Sequence, residues 1–313
     1  MAKAGCGYVF GYVNPDTDGV CSSIGYAFFA TKKGRNFKPL VFGTLNKETN
    51  FVLGHLRVDP PAQGNVLDPH CEVVIVDTHD RSQLPPGMDP NSVVEILDHH
   101  PSGDFRDFPK AKIQNDKVGA VATLVAERMM KSSIEPTSQV AGVLAAAIVS
   151  NTLNFTAPST SRRDLSVFKW LSGYEHLTKQ FINNMFKARS DISDKKTAEV
   201  LLADYKQFKI SSVQIGISQF ETTYPQDLLS RPDLKKVLTT FRDNLNIDYF
   251  FVNVVDMLKQ RSTLMAADAE SKELLRHAIG ARFNEYRSEF PRVLLRKTNL
   301  VPRLEKWLKA HPT

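Results

Sequence analysis

Several features that would place a chain in a special class of protein are missing from these 313 residues. No apolar run reaches 18 residues, so we expect no transmembrane helix and no membrane as a partner. The first residues lack a basic segment followed by a long apolar stretch, so we expect no secretory signal peptide. Basic residues are nowhere interleaved with aromatics in a run, so we expect no nucleic acid as a partner either.

Cysteine is scarce, and the sequence contains no internal repeat and no low-complexity segment. Cys6, Cys21 and Cys71 are odd in number and lack the spacing of cysteine metal sites, which predicts reduced thiols and a cytoplasmic location. Hydrophobic residues make up 42% and charged residues 24% of the chain, which is typical of a soluble globular protein. A chain of this length can form one large core or two domains.

The net charge of +6 is distributed unevenly along the chain. Residues 1–187 carry a balance of +1, and residues 188–313 carry +5. Clustered acids in the first part and a basic excess in the second suggest a metal site and an anion clamp, although solvated helix faces would give the same balance. The pattern also changes near residue 188, which predicts a first domain at 1–187, a linker at 188–195 and a second domain at 196–313.

Acidic side chains stand at the ends of three predicted strands. The first strand, residues 7–13, leads into Asp16 and Asp18 at the start of an amphipathic stretch that predicts a helix. Two further β-prone runs end in acids, and the second is followed by two histidines: Asp77, Asp98, His99 and His100. In a parallel sheet these strand ends meet at one edge, where open α/β sheets bind ligands. Aspartate with histidine suits Mn²⁺, Mg²⁺ or Co²⁺, and a carboxylate between two ions makes a two-metal site.

The remaining chain alternates predicted helices and strands, which indicates an α/β fold. Residues 138–152 are almost entirely apolar and predict a helix that is buried on all sides. Beyond the linker, short β-prone runs predict a smaller mixed sheet with covering helices, and residues 292–297 are predicted as its last strand.

Five motifs in sequence order carry a resemblance to a known family. Asp98-His99-His100 is the signature triplet of the DHH phosphoesterase superfamily. Asn14-Pro15-Asp16-Thr17-Asp18 resembles the first motif of the family II, manganese-dependent inorganic pyrophosphatases. The remaining three resemble later motifs of that family: Val76-Asp77, residues 146–160 and Leu295-Arg296-Lys297. Lys206 also resembles a phosphate-binding lysine of the family's C-terminal domain. The resemblance implies an N-terminal doubly wound, mainly parallel DHH domain and a smaller C-terminal α/β domain of the DHHA2 type with a mixed sheet.

The resemblance also implies a role for each matching residue. The metal ligands would be Asp16 on the first ion, Asp18 and His99 on the second, and Asp77 on both. His100 would face the substrate as general acid or phosphate contact, and with Asp77 it would form the catalytic pair. The phosphates of a small anionic substrate would be held by three basic residues: Lys206, Arg296 and Lys297. The implied reaction is hydrolysis of a phosphoanhydride, inorganic pyrophosphate above all, by a metal-activated water.

Two positions depart from the family pattern. Tyr12 stands where the family has a metal-binding histidine, and Asn151 stands where it has a metal-binding aspartate. A neutral phenol is a poor ligand for Mn²⁺, and an amide oxygen lacks the charge of a carboxylate. We therefore predict two ions in weakened sites, Mn²⁺ with Co²⁺ or Mg²⁺ as alternatives, and consider His79 as a compensating ligand.

Three functions remain open at this point. The first is hydrolysis of pyrophosphate. The second is hydrolysis of another small phosphorylated substrate, such as a short polyphosphate or a nucleotide, at a site tuned by Tyr12 and Asn151. The third is a catalytically inactive protein that keeps the fold and binds an anion or a regulatory partner. A homodimer is also left open as the oligomeric state.

Overall fold

Short β-branched runs that alternate with helical stretches build two α/β units. The computed structural model describes residues 6–101, 103–210, 212–245 and 247–311, without the side chain of residue 243. One compact unit ends at Arg189, and the other begins at Ser190. None of the helices in these described ranges has the length and the hydrophobicity needed to cross a bilayer.

A six-stranded, wholly parallel sheet forms the centre of the first unit. In chain order the strands are β1 (Cys6–Phe10), β2 (Asn36–Val41), β3 (Ala62–Gln63), β4 (Glu72–Val76), β5 (Val93–Asp98) and β6 (Lys112–Asn115). The helices are α1 (Thr17–Lys32), α2 (Lys47–Leu56), α3 (Val121–Lys131), α4 (Ser138–Asn151), α5 (Arg162–Leu171) and α6 (Lys179–Arg189). The mainly parallel α/β sheet predicted from the sequence is confirmed.

The strand order in this sheet is β3-β2-β1-β4-β5-β6, so the chain leaves β1 toward one edge and returns at β4 toward the other. The carboxyl ends of β1 and β4 therefore flank a topological switch point, where open α/β sheets bind their ligands. Asp16 follows β1 and Asp77 follows β4, so the topology brings two of the predicted site residues to this point.

Helix α4 is the most deeply buried element of the first unit. Every residue from Val140 to Ser150 is buried, which confirms the prediction of a helix that is apolar all round. It packs against α1, where Gly25 lies so close to Leu144 that a Cβ would stand 2.7 Å from Cδ2 of that leucine. This close packing places the C-terminal end of α4 beside the start of α1, with Asn151 near Asp18.

A five-stranded mixed sheet forms the centre of the second unit, in the order β11-β10-β9-β8-β7. Its strands are β7 (Tyr205–Ile210), β8 (Val213–Thr222), β9 (Tyr249–Asp256), β10 (Arg261–Met265) and β11 (Arg287–Phe290). Only β8 and β9 pair in parallel among these described strands, so the predicted mixed sheet is confirmed. The helices are α7 (Thr197–Ala203), α8 (Gln226–Leu229), α9 (Leu234–Leu245), α10 (Ala269–Ile279) and α11 (Val301–Ala310).

Two expectations from the sequence are wrong. Residues 292–297 do not form the last strand; β11 lies earlier, and Arg296–Leu300 forms a π-helical turn that leads into α11. The side chain of Asn299 accepts from the backbone N–H of Leu295 at 2.8 Å, which closes the chain into this turn instead of leaving it extended. Cys6 and Cys71 are not reduced thiols but form a disulfide, because the parallel register of β1 and β4 sets them side by side. Cys21 is free and buried.

Candidate metal centre and active site

The turn after β1 positions the first candidate ligand. Asp16 caps α1, with its Oδ1 accepting from the backbone N–H of Gly19 at 3.1 Å. The Asp16 backbone N–H donates to the hydroxyl of Tyr12, also at 3.1 Å. At Gly19 a Cβ would lie 3.3 Å from Oδ2 of Asp77, so the glycine lets the turn approach the neighbouring strand end closely. Asp16 and Asp77 are thereby held next to each other.

Asp18 lies in the first turn of α1 and is buried. Its carboxylate accepts from the backbone N–H groups of Val121 at 2.7 Å and Ala122 at 3.0 Å, at the start of α3. Ser22 donates to the same carboxylate at 3.0 Å, and the Asn151 amide donates at 3.2 Å. Burial raises the pKa of Asp18 to about 6, although the positive end of the α3 dipole favours its charged form. Asp18 thus joins three elements of the fold.

Asp77 stands just beyond β4 with a φ of 67°, in the left-handed region that aspartate tolerates better than most residues. Its side chain is buried, and Oδ1 has no hydrogen-bond partner among the residues that the structure describes. Burial raises the pKa of Asp77 well above its usual range, and the carboxylates of Asp16 and Asp18 raise it further. A buried carboxylate oxygen without a donor is costly, and a cation would offset that cost.

Asp98, the last residue of β5, organises the histidines around it. Its Oδ1 accepts from the backbone N–H of His99 at 2.7 Å and from Nδ1 of His100 at 2.9 Å. Its Oδ2 makes a short hydrogen bond with Nδ1 of His79, whose ring stacks on Phe105 at a centroid distance of 4.1 Å. Burial alone would raise the pKa of Asp98, but hydrogen bonds from His100 and His79 outweigh it and lower the pKa. His79 therefore holds the carboxylate of Asp98 in place through Oδ2, while Oδ1 binds His100.

His99 has the hydrogen bonding expected of a metal ligand. Its Nδ1 lies 2.9 Å from the backbone carbonyl of Val118, which makes Nδ1 the protonated nitrogen. Its Nε2 is then a lone-pair donor, 3.4 Å from Oδ1 of Asp77. In many metal sites a backbone carbonyl accepts a hydrogen bond from the far nitrogen of a ligating histidine and so fixes the orientation of its ring. The geometry therefore aims one nitrogen and one carboxylate oxygen at the same space.

His100 is half exposed and lines a cavity of about 260 Å³. Its hydrogen bond to Asp98 raises the pKa of His100, which favours the imidazolium form. The other residues around the cavity are Tyr12, Asp77, Thr78, Asp80 and Gln83. The site therefore combines a proton donor with an acidic wall and has room for a small ligand.

The two altered positions both face this site. The Asn151 amide nitrogen donates to the Gly119 carbonyl at 3.0 Å and lies 3.4 Å from Nε2 of His99, in addition to its bond with Asp18. Burial raises the pKa of Tyr12, and the carboxylate of Asp16 adds to the effect, so the phenol stays neutral. The Asn151 amide thus lies beside Asp18 and His99, whereas the Tyr12 hydroxyl accepts a hydrogen bond from the backbone of Asp16.

Sequence reasoning missed two buried acids that support the site. Asp164 accepts from the backbone N–H of Gly119 at 2.9 Å and from the hydroxyl of Thr123 at 2.6 Å, which ties the start of α3 to α5. The Ser161-Arg-Arg-Asp164 spacing of a capping box was its available signal. Glu48 accepts from Ser150 at 2.8 Å beneath the site, but an acid in the first turn of a helix is too common to stand out.

The second unit contains the three predicted phosphate-binding residues. Lys206 on β7 and Lys297 in the π-helical turn are exposed. Arg296 is buried, and its guanidinium donates to Oδ1 of Asp204 at 2.6 Å and to the backbone carbonyl of Ile217 at 3.2 Å. The arginine therefore fills a structural position in its own unit, which its place in a motif does not reveal.

A divalent cation fits the donor set of the first unit. Ligand atoms of Asp77, Asp98, His99 and His100 all lie within 4.8 Å of one another. The unpartnered oxygen of Asp77 and the free lone pair of His99 are the donors among these four that the protein leaves open. Carboxylate oxygen with imidazole nitrogen is a ligand set suited to Mn²⁺ and similar ions.

Comparison with known proteins identifies the two domains of the chain. The DHH family N-terminal domain matches residues 7–148, and the DHHA2 domain matches residues 183–307. A manganese-dependent inorganic pyrophosphatase of Methanothrix thermoacetophila is 30% identical over 310 residues, which cover 96% of this chain and 98% of that protein. The manganese-dependent inorganic pyrophosphatase of Bacillus subtilis is 27% identical over 297 residues, covering 94% and 96%.

Similarity extends to solved structures. A crystal structure from Methanococcus jannaschii, assigned to the family II inorganic pyrophosphatases, matches with a TM-score of 0.60 at 28% identity. The match covers 96% of this chain and 98% of that one. Two domain families in the right order, together with relatives of similar size, account for both sheets. The chain therefore belongs to the DHH–DHHA2 phosphoesterases and is homologous to the manganese-dependent family II inorganic pyrophosphatases.

Proposed function

We propose that the chain hydrolyses inorganic pyrophosphate to two phosphates, with Mn²⁺ as the preferred cofactor and Co²⁺ or Mg²⁺ as substitutes. The observation that carries this proposal is the open oxygen of Asp77, which faces the free nitrogen of His99 at 3.4 Å at the switch point of the sheet. Full-length relatives named as manganese-dependent inorganic pyrophosphatases support the choice of substrate and metal.

Asp77 and His99 would hold the ion, with Asp16 as the adjacent carboxylate. When bound, a divalent ion supplies charge that activates water and stabilises the negative charge developing on the phosphoryl oxygens. The part of Asp98 is positioning: it orients His100 through Oδ1 and is itself held by His79 through Oδ2. The side chains around the ion are thus fixed before any substrate arrives, which is the preorganisation that phosphoryl transfer needs.

We assign His100 as the proton donor to the departing phosphate. It borders the cavity beside Tyr12, and its bond to Asp98 raises the pKa of His100, which favours the protonated ring. A general acid of this kind contributes roughly 10²–10⁴-fold to a rate. The neutral hydroxyl of Tyr12 can donate a hydrogen bond to a phosphate oxygen in the same cavity.

Lys206 and Lys297 are our candidates for phosphate binding, because both ammonium groups are exposed. Lysine acts as a compact point charge and needs no fixed orientation to attract a phosphate. Arg296 is a weaker candidate, since its guanidinium is buried and already paired with Asp204. A contribution from Arg296 would require phosphate to take the place of that carboxylate.

The test is a phosphate-release screen with Mn²⁺, Co²⁺ and Mg²⁺ in turn, on pyrophosphate, tripolyphosphate and nucleoside triphosphates. We expect pyrophosphate to be cleaved fastest and Mn²⁺ to be the best ion. Asp77→Asn should abolish release, whereas Asp89→Asn, which changes an exposed turn-capping acid, should not. No release from any substrate with any ion would overturn the proposal and favour a protein that only binds anions or partners.

A second candidate is hydrolysis of a different small phosphorylated substrate, such as a short polyphosphate or a nucleotide. The observation that favours it is Tyr12, which adds an aromatic wall and a hydroxyl to the cavity where the resemblance expects a histidine. The same screen separates the two candidates. A kcat/KM at least tenfold higher for tripolyphosphate or a nucleotide than for pyrophosphate would establish this second activity instead.

A further inference from the structure

The carboxylate of Asp18 has no capacity left for a cation. A carboxylate has about four lone-pair positions for donors. In this structure Oδ1 accepts from Ala122 and Ser22, and Oδ2 accepts from Val121 and Asn151. All four bonds lie between 2.7 and 3.2 Å, so each is an ordinary hydrogen bond. Two come from the backbone at the start of α3 and cannot turn away.

The orientation of the Asn151 amide is fixed by a neighbour that only accepts. Its nitrogen lies 3.0 Å from the backbone carbonyl of Gly119. Rotating the amide by half a turn would place its oxygen against that carbonyl and would remove the donor from Asp18. Its two hydrogens are therefore donated to Gly119 and Asp18, the two shorter contacts. The amide nitrogen itself lies 3.4 Å from Nε2 of His99, in the space that a second ion would occupy between these residues.

The other side of the site has the opposite character. Oδ1 of Asp77 is buried and has no partner among the described residues, and it faces the lone pair of His99. Asp16 adds a carboxylate that interacts directly with Asp77 and uses one oxygen to cap α1. The nearest cationic group on this side is the His100 ring, whose Nδ1 lies 4.0 Å from Oδ1 of Asp77 and is too distant for a hydrogen bond, whereas Asp18 accepts four hydrogen bonds.

We propose that this chain binds one divalent ion, on Asp77 with Asp16 and His99 as neighbouring donors, and that the amide of Asn151 replaces the second ion. Asp18 is then a positioning residue that ties α1 to α3 and not a metal ligand. The inference deepens the proposed function, on which it rests, and revises the two ions expected from the resemblance. The amide supplies hydrogen-bond donors where a cation would have supplied charge.

The test counts Mn²⁺ without using activity. Wild type, Asn151→Asp and the control Asn183→Asp, an exposed position on α6 that adds the same charge, are titrated with Mn²⁺ by calorimetry. Electron paramagnetic resonance of the same samples distinguishes an isolated Mn²⁺ from a spin-coupled pair. We expect one ion per chain and an isolated-ion spectrum for wild type and for Asn183→Asp. Asn151→Asp should bind two ions per chain and show a coupled spectrum.

Each result of these titrations either supports or overturns the inference of a single bound ion. Two ions per chain in the wild type would overturn the inference, as would a single ion in a folded Asn151→Asp. If Asn151→Asp fails to fold, the wild-type count still tests the inference, and Asp77→Asn should then bind no ion. Pyrophosphate release measured separately keeps the two proposals apart. One bound ion without any phosphate release would overturn the proposed function alone, and no bound ion would overturn both.

Discussion

Asp77 in the first unit and Arg296 in the second are both buried charged residues at motif positions, but their surroundings differ. Asp77 has an oxygen without a partner in the described structure, and burial raises its pKa. Arg296 also has one atom without a partner in the described structure, Nε, but its two terminal nitrogens donate to the carboxylate of Asp204 and to two backbone carbonyls. The first unit leaves a negative charge for a ligand to balance, whereas the second balances its positive charge internally.

This difference distinguishes a binding residue from a structural one. A buried charge without a partner costs stability and persists where function requires it, because an external ion compensates it. A buried charge with several internal partners contributes to its own unit whether or not a ligand is present. The comparison predicts that metal removal should affect the first unit and that loss of Arg296 should affect the second even without ligand.

The largest effect should come from Asp77→Asn. Removing the carboxylate removes several kcal/mol of charge stabilisation, which corresponds to a fall in phosphate release of roughly a thousandfold or more. Because burial raises the pKa of Asp77 well above its usual range, folding disfavours the charged carboxylate, and the metal-free variant should melt at a higher temperature than the metal-free wild type. Melting temperatures measured with and without Mn²⁺ check this: the ion should raise the melting temperature of the wild type and leave that of the variant unchanged. A metal-free variant that melts below the wild type would contradict the account.

Arg296→Ala should have the next largest effect, and it should be on stability. The substitution leaves Asp204 and two carbonyls without their donor, at a cost of about 2–3 kcal/mol after allowing for the half-exposed Asp204. Lys297→Ala, at the exposed neighbour, should stay within about 0.5 kcal/mol.

Tryptophan fluorescence can locate this loss within the chain. The sequence has two tryptophans, Trp170 on α5 and Trp307 on α11, so one reports on each unit. In a Trp170→Phe background, urea unfolding followed at Trp307 should shift for Arg296→Ala and not for Lys297→Ala. Equal midpoints for the two variants would show that Arg296 is not a structural residue. A higher KM for pyrophosphate in Lys297→Ala would support its role in binding phosphate.

The smallest effect should come from replacing Arg163, which forms an ion pair with an acid of the first unit, Asp116. Arg163 donates to Asp116 at 3.0 Å, and this bond lowers the pKa of that partly exposed carboxyl. Arg163 also donates to Glu127 at 2.7 and 2.6 Å, so Arg163→Gln should cost about 1 kcal/mol at neutral pH, to which the bond with Asp116 contributes a part. Because the pKa of Asp116 is lower in the folded protein than in the unfolded chain, where it is about 4, the pair contributes its full stability above that pH. The contribution is lost as the pH falls through the folded-state pKa. Urea unfolding of both proteins between pH 7 and pH 3 should show the difference shrinking below about pH 4, and a growing difference would contradict it.

Much of the fold follows from local patterns. Apolar strands that end in acids, the wholly apolar α4 and the alternation of elements predicted a parallel sheet and a mixed sheet, and both are present. The prediction of a strand at residues 292–297 is wrong because one side chain, Asn299, closes the backbone into a turn. Pattern reasoning weighs hydrophobic period and cannot detect a single side-chain to backbone bond of this kind.

The sequence by itself determined the family, the two sheets and the residues at the strand ends, because motif order and hydrophobic period are written along the chain. Only the tertiary structure decided which charges are satisfied. The pairing of Cys6 with Cys71, the donors around Asp18 and the internal partners of Arg296 join residues 65, 103 and 92 positions apart. Contacts between residues so far apart in sequence depend on strand register and helix packing. Only the folded chain therefore shows that Oδ1 of Asp77 has no hydrogen-bond partner among the described residues.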